Sequence, residues 1–260
     1  MHSDIQTSKV TLNNINRLNH YVMHTSRLNA TVNVAYETKE FYTKERYTNK
    51  DPWKYKINKY GFRGDDWDFK KSPAFFGCSC TFGIGVEKPA SMLMQEKFKD
   101  RIIPNLGIPG GSAISIIRLF SSFARLHPMS HAFITLPPLE RFFFPVYENN
   151  DWLIQDVILG FDMPSIDKKT MKQISNIWLG KHTNISYALD YIDWAEDIAK
   201  IYDIKIYWSS WDKPTFNFLK EIQKNNTFKW PKYNHSDSRD GAHPGKLNHT
   251  DLANNCWNIL

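Results

Sequence analysis

The feature that most limits how this chain folds is an alternation of apolar and amphipathic segments between residues 74 and 211. Four short apolar runs predict strands, at 74–78, 101–107, 131–136 and 204–211. Three segments with apolar residues at helical spacing predict helices, at 90–100, 113–126 and 184–203. Asn184 is the expected N-cap of the last helix. This order of strands and helices is typical of a parallel sheet that carries helices on both faces.

The loops after the predicted strands are where this architecture places a ligand, because ligands bind beyond the carboxyl ends of parallel strands. The first strand runs into 77-GCSCTFGIG-85, the second into the glycine loop 107-GIPGGS-112, and the third into 136-LPPLER-141. The fourth ends at Trp211. We therefore expect the functional residues to lie together at this edge of the sheet.

A serine, a histidine and an aspartate form the candidate catalytic set. Serine becomes a good nucleophile only when a base takes its proton, and a third group must hold that base in the right tautomer. Ser79 follows the first strand, and Asp240 and His243 stand close together near the C-terminus. One turn could bring the Asp240 carboxylate to one imidazole nitrogen and leave the other for Ser79. An Asp-x-x-His pair is common by chance, so the prediction depends on its combination with Gly-x-Ser and the glycine loop.

This combination resembles the SGNH (GDSL-type) hydrolase family. The family's Gly-Asp-Ser block matches the stretch 77–79, which reads Gly-Cys-Ser here. Its second block, an asparagine followed five residues later by a glycine, matches Asn105 and Gly110. Its Asp-x-x-His block matches Asp240 and His243.

The resemblance implies ester hydrolysis through an acyl-enzyme, with no cofactor and no metal. Ser79 would attack the ester carbonyl, His243 would take the serine proton, and Asp240 would orient His243. The backbone N–H groups of Ser79 and Gly110 would form the oxyanion hole. The expected substrate is a small molecule or glycan with a short acyl ester such as acetyl. Esterase, deacetylase, lipase-like and acyltransferase activities share this triad and stay open.

One part of the family pattern is missing. The third block normally supplies an oxyanion-hole asparagine from a Gly-x-Asn-Asp loop, but the loop here reads 136-LPPLER-141. Loss of one such donor lowers the rate by roughly 10²–10³ in enzymes that rely on it. Arg141 either replaces that donor or pairs with a surface acid such as Glu140. Asn105 and Trp211 are further candidates for contact with the substrate or the oxyanion.

The resemblance covers roughly residues 72–260 and implies a flavodoxin-like, three-layer α/β/α fold with a mainly parallel central sheet. We assign the hydrolase-type domain to 71–260, with an insert at about 140–183. The insert contains the aromatic stretch 142–147 and a predicted helix near 167–178.

Residues 1–70 lie outside the resemblance and form an N-terminal extension, either β-rich or packed on the core. Within it, 31–42 alternates enough to predict a strand or two. The segment 58-NKYGFRGDDW-67 resembles a lead-in found in some family members.

Three alternative readings stay open. The tract 235–249 holds three histidines and two aspartates, ligand types that suit a metal-dependent hydrolase. The missing third-block asparagine favours a non-catalytic or weakly active ligand-binding module on the same fold. Cys78 or Cys80 could be the nucleophile, although their spacing is not the Cys-x-x-Cys of redox motifs.

Charge and cysteine content limit the partners and the location. The net charge is +6, but no zinc-finger spacing, aromatic-basic motif or long basic run predicts nucleic-acid binding. No apolar run approaches the ~18 residues of a membrane span, and the polar N-terminus lacks a signal sequence. Three cysteines predict no disulfide framework, so we expect a cytoplasmic protein, with packaging in a virus particle as an open alternative. The oligomeric state is not predicted.

Overall fold

The computed structural model describes residues 31–33, 54–58, 60–68, 70–148, 151–157, 169, 183–223, 226–232, 238 and 243–260. Its strands are β1 (Thr31–Asn33), β2 (Lys54–Lys56), β3 (Ser72–Gly77), β4 (Asn105–Gly107), β5 (Met129–Leu136), β6 (Phe142–Glu148), β7 (Asp151–Val157) and β8 (Lys205–Ser210). Its helices are α1 (Ser79–Phe82), α2 (Ala90–Gln95), α3 (Ala113–Ala124), α4 (Thr183–Ile201), α5 (Lys213–Ile222) and α6 (Lys246–Trp257). None of these described helices has the length and apolar content that a membrane crossing needs.

Four parallel strands form the central sheet, in the order β4–β3–β5–β8. Counted along the chain, this is the 2-1-3-4 order of flavodoxin-like sheets. Gly77 of β3 lies beside Gly107 of β4 and Thr135 of β5. Leu136 of β5 lies beside Ser210 of β8. All four strands therefore end at one edge, and the predicted α/β class with a mainly parallel sheet is confirmed.

The direction of the crossovers explains the three layers. The step from β3 to β4 contains α2, whereas the step from β4 to β5 runs the opposite way across the sheet and contains α3. Because crossovers of this kind are right-handed, helices of opposite steps lie on opposite faces. α3 packs with α4, and α2 packs with α6. The reversal creates a switch point between β3 and β5, which is where such sheets bind ligands.

Aromatic side chains hold α3 on the sheet. Every residue of β3 is buried. Phe76 of β3 packs edge-on against Phe120 and Phe123 of α3, with ring centroids 5.4 and 5.9 Å apart. Full burial of a phenylalanine contributes on the order of 2–3 kcal/mol. At the start of α3 the Ser112 side chain accepts a hydrogen bond from the Ser115 N–H, so the helix begins at a defined point behind the glycine loop.

The segment that precedes the sheet packs into the same core. The ring of Tyr60 stacks on Trp67 with centroids 4.3 Å apart, and Trp67 meets Phe123 edge-on at 4.8 Å. β1 and β2 form an antiparallel pair. The strand predicted within 31–42 is present at 31–33, and the rest of that range lies outside the described residues.

Two predicted helix boundaries are wrong. α2 ends at Gln95, where the Gln95 side chain accepts a hydrogen bond from the Ile103 N–H and the chain turns back toward β4. α4 begins at Thr183, so Asn184 lies inside its first turn and is not its N-cap. The sequence pattern did not predict α5 and α6.

The aromatic insert contains a strand pair. β6 and β7 are antiparallel, and the stretch 142–147 belongs to β6. The helix predicted near 167–178 lies, apart from Lys169, outside the described residues.

Candidate active site

The turn from β3 into α1 presents Ser79 at the carboxyl edge of the sheet. Gly77 is the last residue of β3, and a Cβ there would collide with the Thr81 side chain. Glycine therefore allows the strand to turn directly into the helix. Ser79 is the first residue of α1 and is 9% exposed. Its hydroxyl is thus largely withdrawn from bulk water, yet lies at the edge where ligands bind.

His243 lies within hydrogen-bonding distance of Ser79. The His243 Nε2 is 3.0 Å from the Ser79 Oγ, across 164 residues of sequence. His243 shortly precedes α6, and α6 is tied to α2 where the Ala90 N–H donates to the His249 Nδ1 at 3.3 Å. The packing of α6 on α2 therefore sets where His243 stands. Two of the three predicted catalytic residues are brought together.

Asp240, the third, lies outside the described residues. Because the His243 Nε2 faces Ser79, the Nδ1 is the nitrogen that an orienting carboxylate would hold. The observed geometry concerns the serine and the histidine, and the role of Asp240 stays a prediction.

The glycine loop after β4 is anchored beside the Ser79 turn. The Ile108 N–H donates to the Gly77 carbonyl at 2.8 Å, and the Gly111 N–H closes a turn onto the Ile108 carbonyl at 2.9 Å. Gly110 within this turn has a φ of +80°, a left-handed conformation that favours glycine. A Cβ at Gly110 would meet no atom within 4 Å. Glycine is therefore required there by backbone conformation and not by lack of space.

Asn105 lies beneath the serine. It is 2% exposed, and its Nδ2 donates to the Thr81 carbonyl and the Ser91 hydroxyl, each at 3.0 Å. Its Oδ1 accepts from the Gly107 N–H at 3.0 Å. The amide thus ties β4 to the helix that begins at Ser79 and to α2. We assign it a positioning role, which differs from the predicted contact with substrate or oxyanion.

Trp211 and Arg141 approach the same turn from the neighbouring strand ends. The Trp211 Nε1–H donates to the Cys78 Sγ at 3.4 Å. The Arg141 guanidinium carbon lies 5.5 Å from the centroid of the Trp211 ring. The loops after β3, β5 and β8 therefore meet through these three side chains.

Cys78 has an unusual environment for a thiol. A hydrogen bond from Cys80 holds its pKa well below the usual range, and the charge of Arg141 and the hydrogen bond from Trp211 act in the same direction, although burial opposes them. Cys256 shows the contrasting case, because burial alone raises its pKa. Cys78 and Cys80 are 0% and 2% exposed. This burial argues against either cysteine as the nucleophile.

Arg63 holds the segment that follows the serine, and the sequence analysis did not identify it. Its Nη1 donates to the carbonyls of Phe82 and Gly83, at 3.0 and 2.5 Å. Its Nη2 donates to the carbonyls of Val86 and Glu87, at 2.7 and 2.6 Å. The only sequence signal was that Arg63 belongs to the lead-in stretch 58–67.

A cavity of about 670 Å³ lies between the segment 63–68 and α2. Its lining includes Lys88 and Glu96 and does not include Ser79. This cavity is therefore separate from the Ser79–His243 pair.

The metal-site alternative requires a cluster of ligand side chains, and the described residues do not provide one. No group of three or more histidine, cysteine or acidic side chains among them could hold a metal ion. Of the tract 235–249, His235, Asp237 and Asp240 lie outside the described residues.

No family model and no curated protein matches this chain. Two solved structures show limited similarity. A Bacteroides fragilis protein assigned as an acylhydrolase is 15% identical with a TM-score of 0.42, and the match covers 73% of this chain and 86% of that one. A GDSL-like lipase from Bacteroides thetaiotaomicron is 15% identical with a TM-score of 0.39, covering 73% and 87%. Similarity at this level carries no argument about activity, which depends on the site itself.

Proposed function

We propose that this protein is a serine hydrolase of the SGNH type that cleaves a carboxylic ester. The observation that carries the proposal is the 3.0 Å distance between the Ser79 Oγ and the His243 Nε2. The two residues are remote in sequence, and they meet beside the switch point of a flavodoxin-like sheet, where ligands bind.

The proposed reaction has two steps. In the first, His243 takes the Ser79 proton as Oγ attacks the ester carbonyl, and the protonated imidazole then gives a proton to the departing alcohol. In the second, water loses a proton to His243 and attacks the acyl-enzyme, which releases the acid and restores the serine. Asp240, as proposed from the family motif, holds the His243 Nδ1–H throughout.

The proposed oxyanion hole consists of the backbone N–H groups of Ser79 and Gly110. Ser79 is the first residue of α1, and the first N–H groups of a helix have no partner within the helix. The bond from the Ile108 N–H to the Gly77 carbonyl supports the part assigned to Gly110, because it holds the glycine loop beside this turn.

The proposed substrate is a short acyl ester, such as acetyl on a glycan. Trp211 supports a sugar-like alcohol portion, because it is only partly buried and stands beside Cys78 at the site. Aromatic rings of this kind offer a flat apolar surface with a polar edge.

The test is hydrolysis of p-nitrophenyl acetate by the wild-type protein and by Ser79→Ala. We expect Ser79→Ala and His243→Gln to lower kcat at least about 10³-fold, and Asp240→Asn to lower it less than the serine variant. The matched control is Cys80→Ala, which alters the adjacent residue of α1 and leaves the triad intact. It should keep most of the activity.

Equal rates for wild-type and Ser79→Ala would rule out the serine mechanism. Loss of activity in Cys80→Ala with Ser79→Ala unaffected would instead support a cysteine nucleophile. Labelling with a fluorophosphonate, followed by peptide mapping, should locate the adduct on Ser79. An active protein that loses its turnover with a chelator would support the metal-dependent alternative.

A further inference from the structure

Arg141 is a charged side chain that forms no ion pair with any described residue. Its Nη1 is buried and makes no hydrogen bond. None of the ion pairs between described residues includes it. Its own loop is ordered, since the Arg141 N–H donates to the Pro138 carbonyl at 3.1 Å. A buried donor costs free energy unless a protein group, a water or a ligand accepts its hydrogen bond.

The position of Arg141 is that of a site residue. Arg141 belongs to the loop after β5, and Ser79 follows β3. The two strands are neighbours, with Gly77 of β3 beside Thr135 of β5, and the chain reverses its direction across the sheet between them. Arg141 and Ser79 therefore flank the switch point, where ligands bind.

Trp211 connects the guanidinium to the nucleophile turn. The Arg141 guanidinium lies over the Trp211 ring at 5.5 Å from its centroid, and the Trp211 Nε1–H is bonded to the Cys78 Sγ at 3.4 Å. Cys78 directly precedes Ser79. The charge of Arg141 also contributes to the lowered pKa of Cys78, so its field reaches the residue beside the nucleophile.

The described residues that line a pocket with Arg141 include no acid. This pocket has a volume of about 10 Å³, and its other lining residues are Ala113, Ile114, Ile117, Leu136, Leu139, Tyr187, Ala188 and Tyr191. This volume is close to that of one water, so a substrate group does not fit there. The Arg141 side chain is, however, partly exposed. The first residues of α3 line the same pocket, and a helix N-terminus adds positive potential.

We propose that Arg141, held by Trp211, is a specificity residue that binds an anionic group on the part of the ester that does not react. The substrate class is then an ester whose alcohol portion carries a carboxylate or a phosphate. This proposal rests on the proposed function, because the subsite serves an ester attacked by Ser79.

The chemistry of the side chain favours this role. A guanidinium is planar, permanently charged and donates two parallel hydrogen bonds to carboxylate or phosphate oxygens. Such an anion would bind the accessible side of the guanidinium, because the side chain is partly exposed and forms no ion pair with a described residue. Carboxylate and phosphate share this recognition, so the experiment includes both.

The experiment compares acetate esters that differ only in the charge of the alcohol portion. The anionic substrates are 3-acetoxybenzoate, 4-acetoxybenzoate and 4-acetoxyphenyl phosphate, and the neutral one is 4-acetoxybenzamide. For each, kcat and KM are measured with wild-type protein and with Arg141→Gln. The wild-type kcat/KM for each ester is divided by the kcat/KM of the variant for the same ester, so that the intrinsic reactivity of the ester cancels.

We expect Arg141→Gln to lower kcat/KM for at least one anionic ester by roughly 10- to 100-fold, mainly through KM, and to leave the neutral ester nearly unchanged. Arg141→Lys should retain part of the preference, because it keeps the charge and loses the planar fork. Arg125→Gln is the matched control. It removes the same charge from an exposed position just beyond the C-terminal end of α3, and it should leave kcat/KM unchanged for both the anionic and the neutral esters.

Two results would overturn the proposal. An equal loss of kcat on neutral and anionic esters would make Arg141 an oxyanion donor. No loss on any ester would give it no part in substrate binding.

Failure of the proposed function is a separate outcome, seen as equal hydrolysis of the neutral ester by wild-type and Ser79→Ala. In that case the anion subsite is tested by binding alone. Tryptophan fluorescence measures the affinity of the Ser79→Ala protein for 4-hydroxybenzoate and for 4-hydroxybenzamide. Tighter binding of 4-hydroxybenzoate than of 4-hydroxybenzamide, with the difference abolished by adding Arg141→Gln, supports the anion subsite. Equal binding of the two ligands overturns it.

Discussion

Two arginines lie close to the chain segment that begins at Ser79, and their surroundings differ. Arg63 is 2% exposed, and its two terminal nitrogens donate to four carbonyl oxygens at 2.5–3.0 Å. Arg141 has a buried terminal nitrogen that makes no hydrogen bond. Backbone carbonyls therefore replace water at the two terminal nitrogens of Arg63, whereas no protein group does so at the Arg141 Nη1.

The identity of the partners explains the difference. The carbonyls bound by Arg63 lie at the end of α1 and in the loop after it, and the carbonyl end of a helix carries partial negative charge. Arg63 also lies over the ring of Tyr55, at 4.2 Å from its centroid. Arg141 has a tryptophan ring as its neighbour and forms no ion pair with a described acid. The four carbonyl bonds of the Arg63 terminal nitrogens therefore indicate a structural role, whereas Arg141 forms no ion pair with a described residue, as a ligand-binding arginine would.

The largest effect should come from Arg63→Met. Methionine keeps much of the side-chain volume but leaves four carbonyls without their donors, so we expect the free energy of unfolding to fall by about 3–5 kcal/mol. Urea unfolding measures it. Arg141→Met is the matched comparison and should change stability by less than about 1 kcal/mol. Similar losses in both variants would break the distinction between the two arginines.

Acid should weaken the protein through two buried histidines. Burial lowers the pKa of His127 to about 4, and burial together with the charge of Arg63 lowers the pKa of His249 to about 3. In the unfolded chain both return to about 6.5. Below that pH the unfolded state binds protons that the folded state does not, so stability is complete above pH 6.5 and falls as the pH drops toward the folded values.

The expected loss between pH 7.5 and 5.5 is about 1 kcal/mol for each histidine, or roughly 2–3 kcal/mol for both. Urea unfolding at the two pH values checks it. His249→Gln should reduce the pH dependence by about half, whatever its effect on absolute stability. A wild-type stability that is the same at both pH values would contradict this account.

Asn105→Ala tests a second side chain with satisfied hydrogen bonds. Loss of its three bonds should lower the free energy of unfolding by about 2 kcal/mol, and kcat should fall because α1 loses its support beneath Ser79. Asn255→Ala is the control, since Asn255 also donates to a backbone carbonyl but is exposed. The free energy of unfolding of Asn255→Ala should stay within about 0.5 kcal/mol of the wild-type value. If Asn105→Ala kept full stability and lost only kcat, Asn105 would be a substrate or oxyanion contact, as the sequence predicted.

The smallest effect on stability is expected for Cys78→Ala, because Cys78 contacts the Trp211 ring over which Arg141 lies. The Trp211 Nε1–H loses its acceptor, and we expect a stability loss of about 1 kcal/mol or less. The rate of hydrolysis of a neutral ester should stay within about threefold of the wild-type rate, because the Cys78 thiol is buried. A loss of 100-fold or more at unchanged stability would make Cys78 a catalytic residue.

Much of the fold could be predicted because strand and helix periods are local properties. The strands at 74–78, 131–136 and 204–211 appear as β3, β5 and β8, and the reversal that makes the sheet flavodoxin-like follows from their connections. α5 and α6 were missed. The Lys246–Trp257 helix has a weak apolar stripe, because asparagines and a buried histidine lie among its few apolar residues.

The candidate site was predictable in part. The combination of Gly-x-Ser, the glycine loop and Asp-x-x-His, which resembles a known family, predicted that Ser79 and His243 act together, and the structure places them 3.0 Å apart. Arg63 was not identified, because an arginine in a polar stretch has the same pattern whether it is solvated or buried. Asn105 was predicted to contact the substrate or the oxyanion for a similar reason. The sequence shows that an amide is present but does not show which groups it bonds to.

The sequence by itself determined the order of strands and helices, the glycines at the turns and the residue types able to act as nucleophile and base. These depend on backbone geometry and side-chain chemistry, which each residue carries with it. The tertiary structure alone decided that His243 lies 3.0 Å from Ser79, that Arg63 donates to four carbonyls and that the buried Arg141 Nη1 has no hydrogen-bond partner. Hydrogen bonds are short and directional, so their partners are settled only when distant segments pack together.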